Sequence, residues 1–144
     1  MKEDMAGGRF RTVERNLDAI GPFADDLRNH LHMILDEEGV ACVELAVVEA
    51  LTNAILFNPA TLADPISVYL QVTETDVTVE IDDGAAPVPG LFDGAGSEML
   101  DFDPTDRQNI PESGRGLSLI VVSMDEVRYR NVGDRTRLSM KRRR

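Results

Sequence analysis

A single cysteine, Cys42, is all the thiol this 144-residue chain carries. That excludes an internal disulfide framework and any multi-cysteine metal centre. Cys42 lies in the apolar run Val40-Ala41-Cys42-Val43 and reads as a small buried side chain. Positive charge is scarce too: 15 Lys plus Arg face 26 Asp plus Glu, a formal net charge of -11. A field of that sign repels phosphate backbones and anionic lipid, which argues against nucleic-acid binding and electrostatic membrane docking. The one basic cluster, Lys141 to Arg144, reads as a solvated terminus. The opening MKEDMAGGRFR has no apolar signal-peptide core. The longest apolar stretch, 45–57, is interrupted by Glu49, Thr52 and Asn53 and falls short of a bilayer span. There is no internal repeat. The expectation is a cytoplasmic protein of one domain, residues 1–144, with 42% apolar residues to build a sizeable core.

Hydrophobic periodicity supplies the elements. Phe23, Leu27, Leu31, Ile34 and Leu35 recur at helical spacing and predict a first helix over 22–38, with Pro22 in its first turn and Gly39 as its stop. His30 and His32, two residues apart, fall on different faces of that helix, which disfavours a shared metal. Residues 40–57 predict a second helix, apolar nearly all round and therefore buried, ended by Asn58-Pro59. The period then changes to two. Ile66, Val68, Leu70 and Val72, then Val77, Val79 and Ile81, predict a hairpin turning at 73–76 with one face buried. From Asp83 to Ser113 the pattern vanishes, as expected of a lid or binding loop; a short helix at 97–100 is the one element it suggests. Leu117 to Val122 predict a third helix opened by Gly114-Arg115-Gly116. Strands at 126–131 and 135–141 follow, and a further one near 9–14 is expected. Helices and hairpins in this order predict a two-layer α+β sandwich.

Four local features could carry chemistry. Glu49 and Asn53 are four residues apart, about 40° around the second helix, so they share a face. A carboxylate in so apolar a helix is costly unless paired or used; a structural hydrogen-bonded pair or a helix edge reaching solvent reads equally well. Asp82-Asp83-Gly84 follows a strand and could aim a carboxylate into a pocket, although in isolation it reads as a strand-ending turn. Gly114-Arg115-Gly116 opens a helix, where free N–H groups and the dipole favour an anion. Thr136 sits in the last hairpin and alone reads as an ordinary strand threonine.

Taken in order, Glu-x-x-x-Asn on a helix, Asp-x-Gly after a strand, a long loop, Gly-x-Gly opening a helix and a late-strand Thr resemble the GHKL (Bergerat-fold) ATPases over about residues 10 to 141. Within that superfamily the wording EALTNAI and GRGLSLI resembles the anti-sigma-factor serine kinases of bacterial partner-switching systems. The resemblance implies a mixed, mostly antiparallel sheet covered on one face by about three helices, with a mobile ATP lid around 85–113. It implies ATP and Mg²⁺ as cofactors. Glu49 corresponds to the general base and Asn53 to the Mg²⁺ ligand. Asp82 corresponds to the carboxylate that accepts from the adenine amino group, beside Gly84. Gly114, Arg115, Gly116 and Leu117 correspond to the phosphate loop, and Thr136 to the threonine near the adenine.

Two positions depart from the family pattern. Ala86 stands where many relatives have a second glycine, and Phe57 stands where many of these kinases have histidine. The loop is also long and acidic, with Asp93, Glu98, Asp101, Asp103 and Asp106. The implied function is phosphorylation of a serine on a STAS-type anti-anti-sigma protein, with inhibition of a sigma factor when that substrate is absent, in a homodimer. A nucleotide-gated interaction module without turnover is the second reading, which an intact Glu49 disfavours. A detached histidine-kinase catalytic domain and a ligand-free scaffold are the remaining ones.

Overall fold

The computed structural model describes residues 9–57, 65–84, 97–99, 115–133 and 135–144. Among the described residues six strands form one sheet: β1 (Arg9–Val13), β2 (Ile66–Val72), β3 (Asp76–Asp82), β4 (Ser97–Met99), β5 (Glu126–Val132) and β6 (Arg135–Arg143). Their order is β1-β2-β3-β6-β5-β4. Three helices, α1 (Ile20–Leu31), α2 (Glu37–Phe57) and α3 (Arg115–Ser123), cover one face. The expected α+β sandwich is therefore present. Among the described residues every strand pairing is antiparallel, so the mixed character expected of the sheet is not seen there.

Period-two alternation builds the inner face. Ile66, Val68, Leu70, Val77, Val79, Ile81, Val127, Leu138 and Met140 are all buried against the helices. The hairpin falls where its pattern predicts, with Val72 opposite Val77. Thr73 closes it, its N–H donating to the Asp76 carbonyl (2.9 Å) and its hydroxyl accepting from the Asp76 N–H (3.1 Å). From the helices come Phe23, Leu27 and Leu31 of α1 and Val43, Val47 and Leu51 of α2. Each such large side chain contributes about 1.5–3 kcal/mol by leaving water.

Several sequence expectations need correction. The first helix spans 20–31, not 22–38, and Gly39 does not stop it. Gly39 instead lies in the first turn of α2, its N–H bonded to the Asp36 carboxylate (2.8 Å), so Asp36 caps a new helix. Ile34 and Leu35 prolong the apolar period through the connecting turn because both pack on the core, Leu35 with little surface left exposed. Ser97–Met99 is a strand rather than a helix, paired with Arg128–Arg130 of β5. The remainder of the expected lid, with its short-helix boundary Leu100, lies outside the described residues.

The basic terminus is not merely solvated: Lys141 to Arg143 belong to β6, and Arg142 donates to the Ser123 carbonyl (2.9 Å) and pairs with Glu38 (3.8 Å). Glu37–Leu56 is long and apolar enough to cross a membrane by length and composition, yet its inner face packs in the core as a soluble-type core helix would. Its outer face is open, with Leu45 and Leu56 exposed, so α2 is not buried all round as its composition suggests.

Candidate functional site

α2 lies between the other two helices, touching α1 on one flank and α3 on the other. Glu44 marks the α1 flank, because its carboxylate takes a bidentate ion pair from Arg28 (2.9 and 2.5 Å). Glu49 and Asn53 follow Glu44 by five and nine residues, about 140° and 180° around the axis. They therefore face the α3 flank, and both are half-buried. The shared face expected from their spacing is present.

Arg142 fixes the direction of α3. By joining Ser123, the last residue of α3, to Glu38, in the first turn of α2, it sets the two helices antiparallel. Nine residues of α3 span about 13 Å, whereas the 21 of α2 span about 31 Å. The N-terminus of α3 thus stops alongside the middle of α2, and the Glu49–Asn53 turn extends beyond it. The same end of the sandwich receives the end of β3 and the start of β6, since Asp76 pairs with Arg143 at the far end and Asp82 with Arg137 at this one.

Arg115, Gly116 and Leu117 form the first turn of α3, with backbone N–H groups that have no helical acceptor before them. Gly114 lies outside the described residues, as does Ala86, while Phe57 is the last residue of α2. Thr136 is opposite Asn131 in the β5–β6 ladder.

Asp82 is not brought to the helix-covered face. Val77, Val79 and Ile81 point inward, so Asp82 points to the open side of the sheet. There it pairs with Arg137 (3.4 Å) and Arg135 (3.4 Å) and is 4% exposed. Arg137 also pairs with Glu80 (3.4 Å) and stacks over Tyr69 at 4.0 Å; Arg130 pairs with Glu80 as well. The same alternation, continued one residue past the end of β3, carries Asp83 to the helix-covered side. Its carboxylate acts on Tyr129, a side chain packed against the core. Burial, and secondarily this carboxylate, push the Tyr129 phenol up to about 12.

The turn that separates the two carboxylates is well held. Gly84 donates its N–H to the Asp82 carboxylate (3.0 Å) and has φ +82°, a conformation that a residue with Cβ resists. Arg15 donates to the Asp83 carbonyl. Reading the motif as Asp-x-Gly picks out Asp82 and misses Asp83, Arg15 and Arg137. The parity of Val77, Val79 and Ile81 carries the signal for Asp83; nothing in the sequence singles out the two arginines.

One family description, the histidine kinase-like ATPase domain, matches residues 13–142. The chain belongs to that family. No curated protein matches it. The histidine kinase-like ATPase domain is an ATP-binding unit of the phosphotransferase and ATPase class, and the residues here fit such a ligand. A helix N-terminus suits phosphates, Asp83 beside the left-handed Gly84 suits a hydrogen-bond donor on a base, and Asn53 offers an amide oxygen to a hard cation. Among the described residues no group of three or more His, Cys, Asp or Glu side chains could hold a metal by itself.

Proposed function

We propose that this histidine kinase-like ATPase domain is an ATP- and Mg²⁺-dependent protein serine kinase. The observation that carries the reading is convergence: the Glu49–Asn53 turn of α2, the N-terminus of α3, Asp83 and the register position of Thr136 all meet at one end of the sandwich. When bound, ATP with magnesium supplies the transferable phosphoryl group and the cation that offsets its charge. Asp83 accepts the adenine amino hydrogen bond, taking the role that the motif resemblance assigns to Asp82. Gly84 keeps the turn beside the base free of a side chain. The first turn of α3 would donate backbone N–H groups to phosphate oxygens, and Asn53 would offer an amide oxygen to the metal. Glu49 takes the proton of the attacking serine hydroxyl.

The resemblance of EALTNAI and GRGLSLI to partner-switching kinases supplies the substrate class, a serine on a STAS-type protein. It also supplies the sequel, in which the unoccupied kinase binds a sigma factor or equivalent target as a homodimer. The alternative is a nucleotide-gated interaction module; Glu49 beside Asn53 favours turnover, because a binder needs no base there.

The test has two stages. Thermal melts with ATP and Mg²⁺, with GTP, and without metal should show an ATP-specific rise that grows with ligand concentration. Labelled γ-phosphate should then pass to a STAS-domain protein from the same genome. ATP-specific stabilisation with no transfer to any such protein, and no hydrolysis, would favour the interaction module.

A further inference from the structure

Asp82 is the most buried carboxylate among the described residues, yet it lies on the face of the sheet away from the nucleotide site. An anion at 4% exposure needs partners, since its desolvation is otherwise uncompensated. Three groups serve it: the Gly84 N–H and Arg135 on one oxygen, and the Arg137 Nε on the other. The two arginines are not equivalent. Arg135 is 46% exposed, so solvent screens its contribution. Arg137 is 19% exposed and fixed in place by Tyr69 beneath its guanidinium and by Glu80 beside it.

The Asp82 carboxylate thus has one firm anchor, and its other oxygen closes the turn through Gly84. Residue 83 is enclosed by that hydrogen bond, and its direction follows from it. Arg15 braces the same turn from the β1 side through the Asp83 carbonyl.

We propose that Arg137 is a positioning residue for base recognition: acting across the sheet through Asp82, it sets the direction of the Asp83 carboxylate without touching the ligand. Loss of Arg137 leaves a buried anion with only a screened partner. The carboxylate then turns toward water and releases the Gly84 N–H, and the turn that aims Asp83 loosens. The inference rests on the reading of Asp83 as the acceptor for the adenine amino group.

The experiment is a calorimetric titration with ATP and with inosine triphosphate, which lacks that amino group, both with Mg²⁺. It compares wild type, Asp83→Asn, Arg137→Ala, Arg137→Lys and Asp82→Ala, with a thermal melt of each. Wild type should prefer ATP. Arg137→Ala should lose roughly tenfold in ATP affinity, the worth of one well-placed hydrogen bond, and keep its affinity for inosine triphosphate. Arg137→Lys retains the cation and should recover part of the preference. Asp82→Ala removes the turn acceptor without leaving a buried anion, while Arg137 keeps Glu80 and Arg135 keeps solvent. It should show the same ATP-selective loss, and decides the matter if Arg137→Ala does not fold.

Equal weakening of both nucleotides, or an unchanged ratio, in the folded variants overturns the role of Arg137. The reading of Asp83 survives that result provided that Asp83→Asn abolishes the preference. A wild-type protein indifferent to the amino group would overturn the reading of Asp83 and the inference with it.

Discussion

Asp82 and Asp83 are neighbours in the chain and occupy opposite faces of the sheet. Asp82 is neutralised by Arg135 and Arg137 on the open side, whereas Asp83 shares the helix-covered side with Tyr129. Their replacements should therefore differ in kind. Asp83→Asn should cost about 1.5–3 kcal/mol of ATP binding, the worth of a hydrogen bond to a charged group. Fluorescence or calorimetric titration measures it, and an unchanged affinity would remove Asp83 from the site.

Glu49 shares a helix face with Asn53 and is the base of the proposed kinase. Glu49→Ala should bind ATP as the wild type does and transfer phosphate about 10²–10⁴-fold more slowly. A γ-phosphate transfer assay run beside a binding titration checks this. Retained turnover would assign proton removal elsewhere.

Asn53→Ala should lower nucleotide affinity in the presence of magnesium and leave the metal-free affinity where it was. The comparison is two titrations, one with Mg²⁺ and one with a chelator. An equal loss in both would mean that Asn53 contacts the nucleotide or shapes the pocket rather than meeting the metal.

Arg28 and Glu44 clasp α1 to α2. The hydrogen bond from Arg28, and then its charge, hold the Glu44 carboxyl below its ordinary value. A depressed folded-state pKa contributes stability above the unfolded value, near 4.3 for Glu, that is lost as pH falls through the folded one. Wild type should thus exceed Glu44→Gln modestly in urea melts at pH 7, and the gap should close as pH falls below the ordinary carboxylate range. High salt should narrow it as well, because the pair is partly exposed.

Leu51 has no exposed surface and faces the sheet from the middle of α2. Leu51→Ala should destabilise by about 2–5 kcal/mol through lost burial and the cavity left behind. Chemical denaturation measures it. A cost below 1 kcal/mol would place α2 less firmly in the core than its burial indicates.

What the sequence discloses follows from which forces are local. The hairpin at 66–82 and the second and third helices are legible because alternation and helical spacing record burial directly. The end of α1 is not, since Ile34 and Leu35 continue an apolar period for tertiary reasons after the helix has stopped. The cap at Asp36-Glu37-Glu38 is a start signal that Gly39 obscures. β4 is illegible for another reason: three residues, Ser97 to Met99, become a strand by pairing with β5, a long-range contact without a sequence pattern.

At the site, Glu49, Asn53, the opening of α3 and Thr136 stand out by type and order. Motif spacing and strand parity single out different aspartates, Asp82 and Asp83. Asp-x-Gly counts residues from the glycine, whereas the sheet sorts them by parity.

The sheet order has a consequence for how the domain holds together. Residues 9–84 supply β1 to β3 with α1 and α2, residues 97–144 supply the rest, and the two halves join along β3–β6 and α2–α3. The candidate site straddles that join, with Glu49, Asn53 and Asp83 from one half and the start of α3 and Thr136 from the other. Neither half alone would present that candidate site. A nucleotide seated there works as a cross-brace, and its binding energy opposes separation of the halves rather than the fraying of either one. Amide exchange in the central strands β3 and β6 would then slow on ligand addition, far beyond the residues in contact.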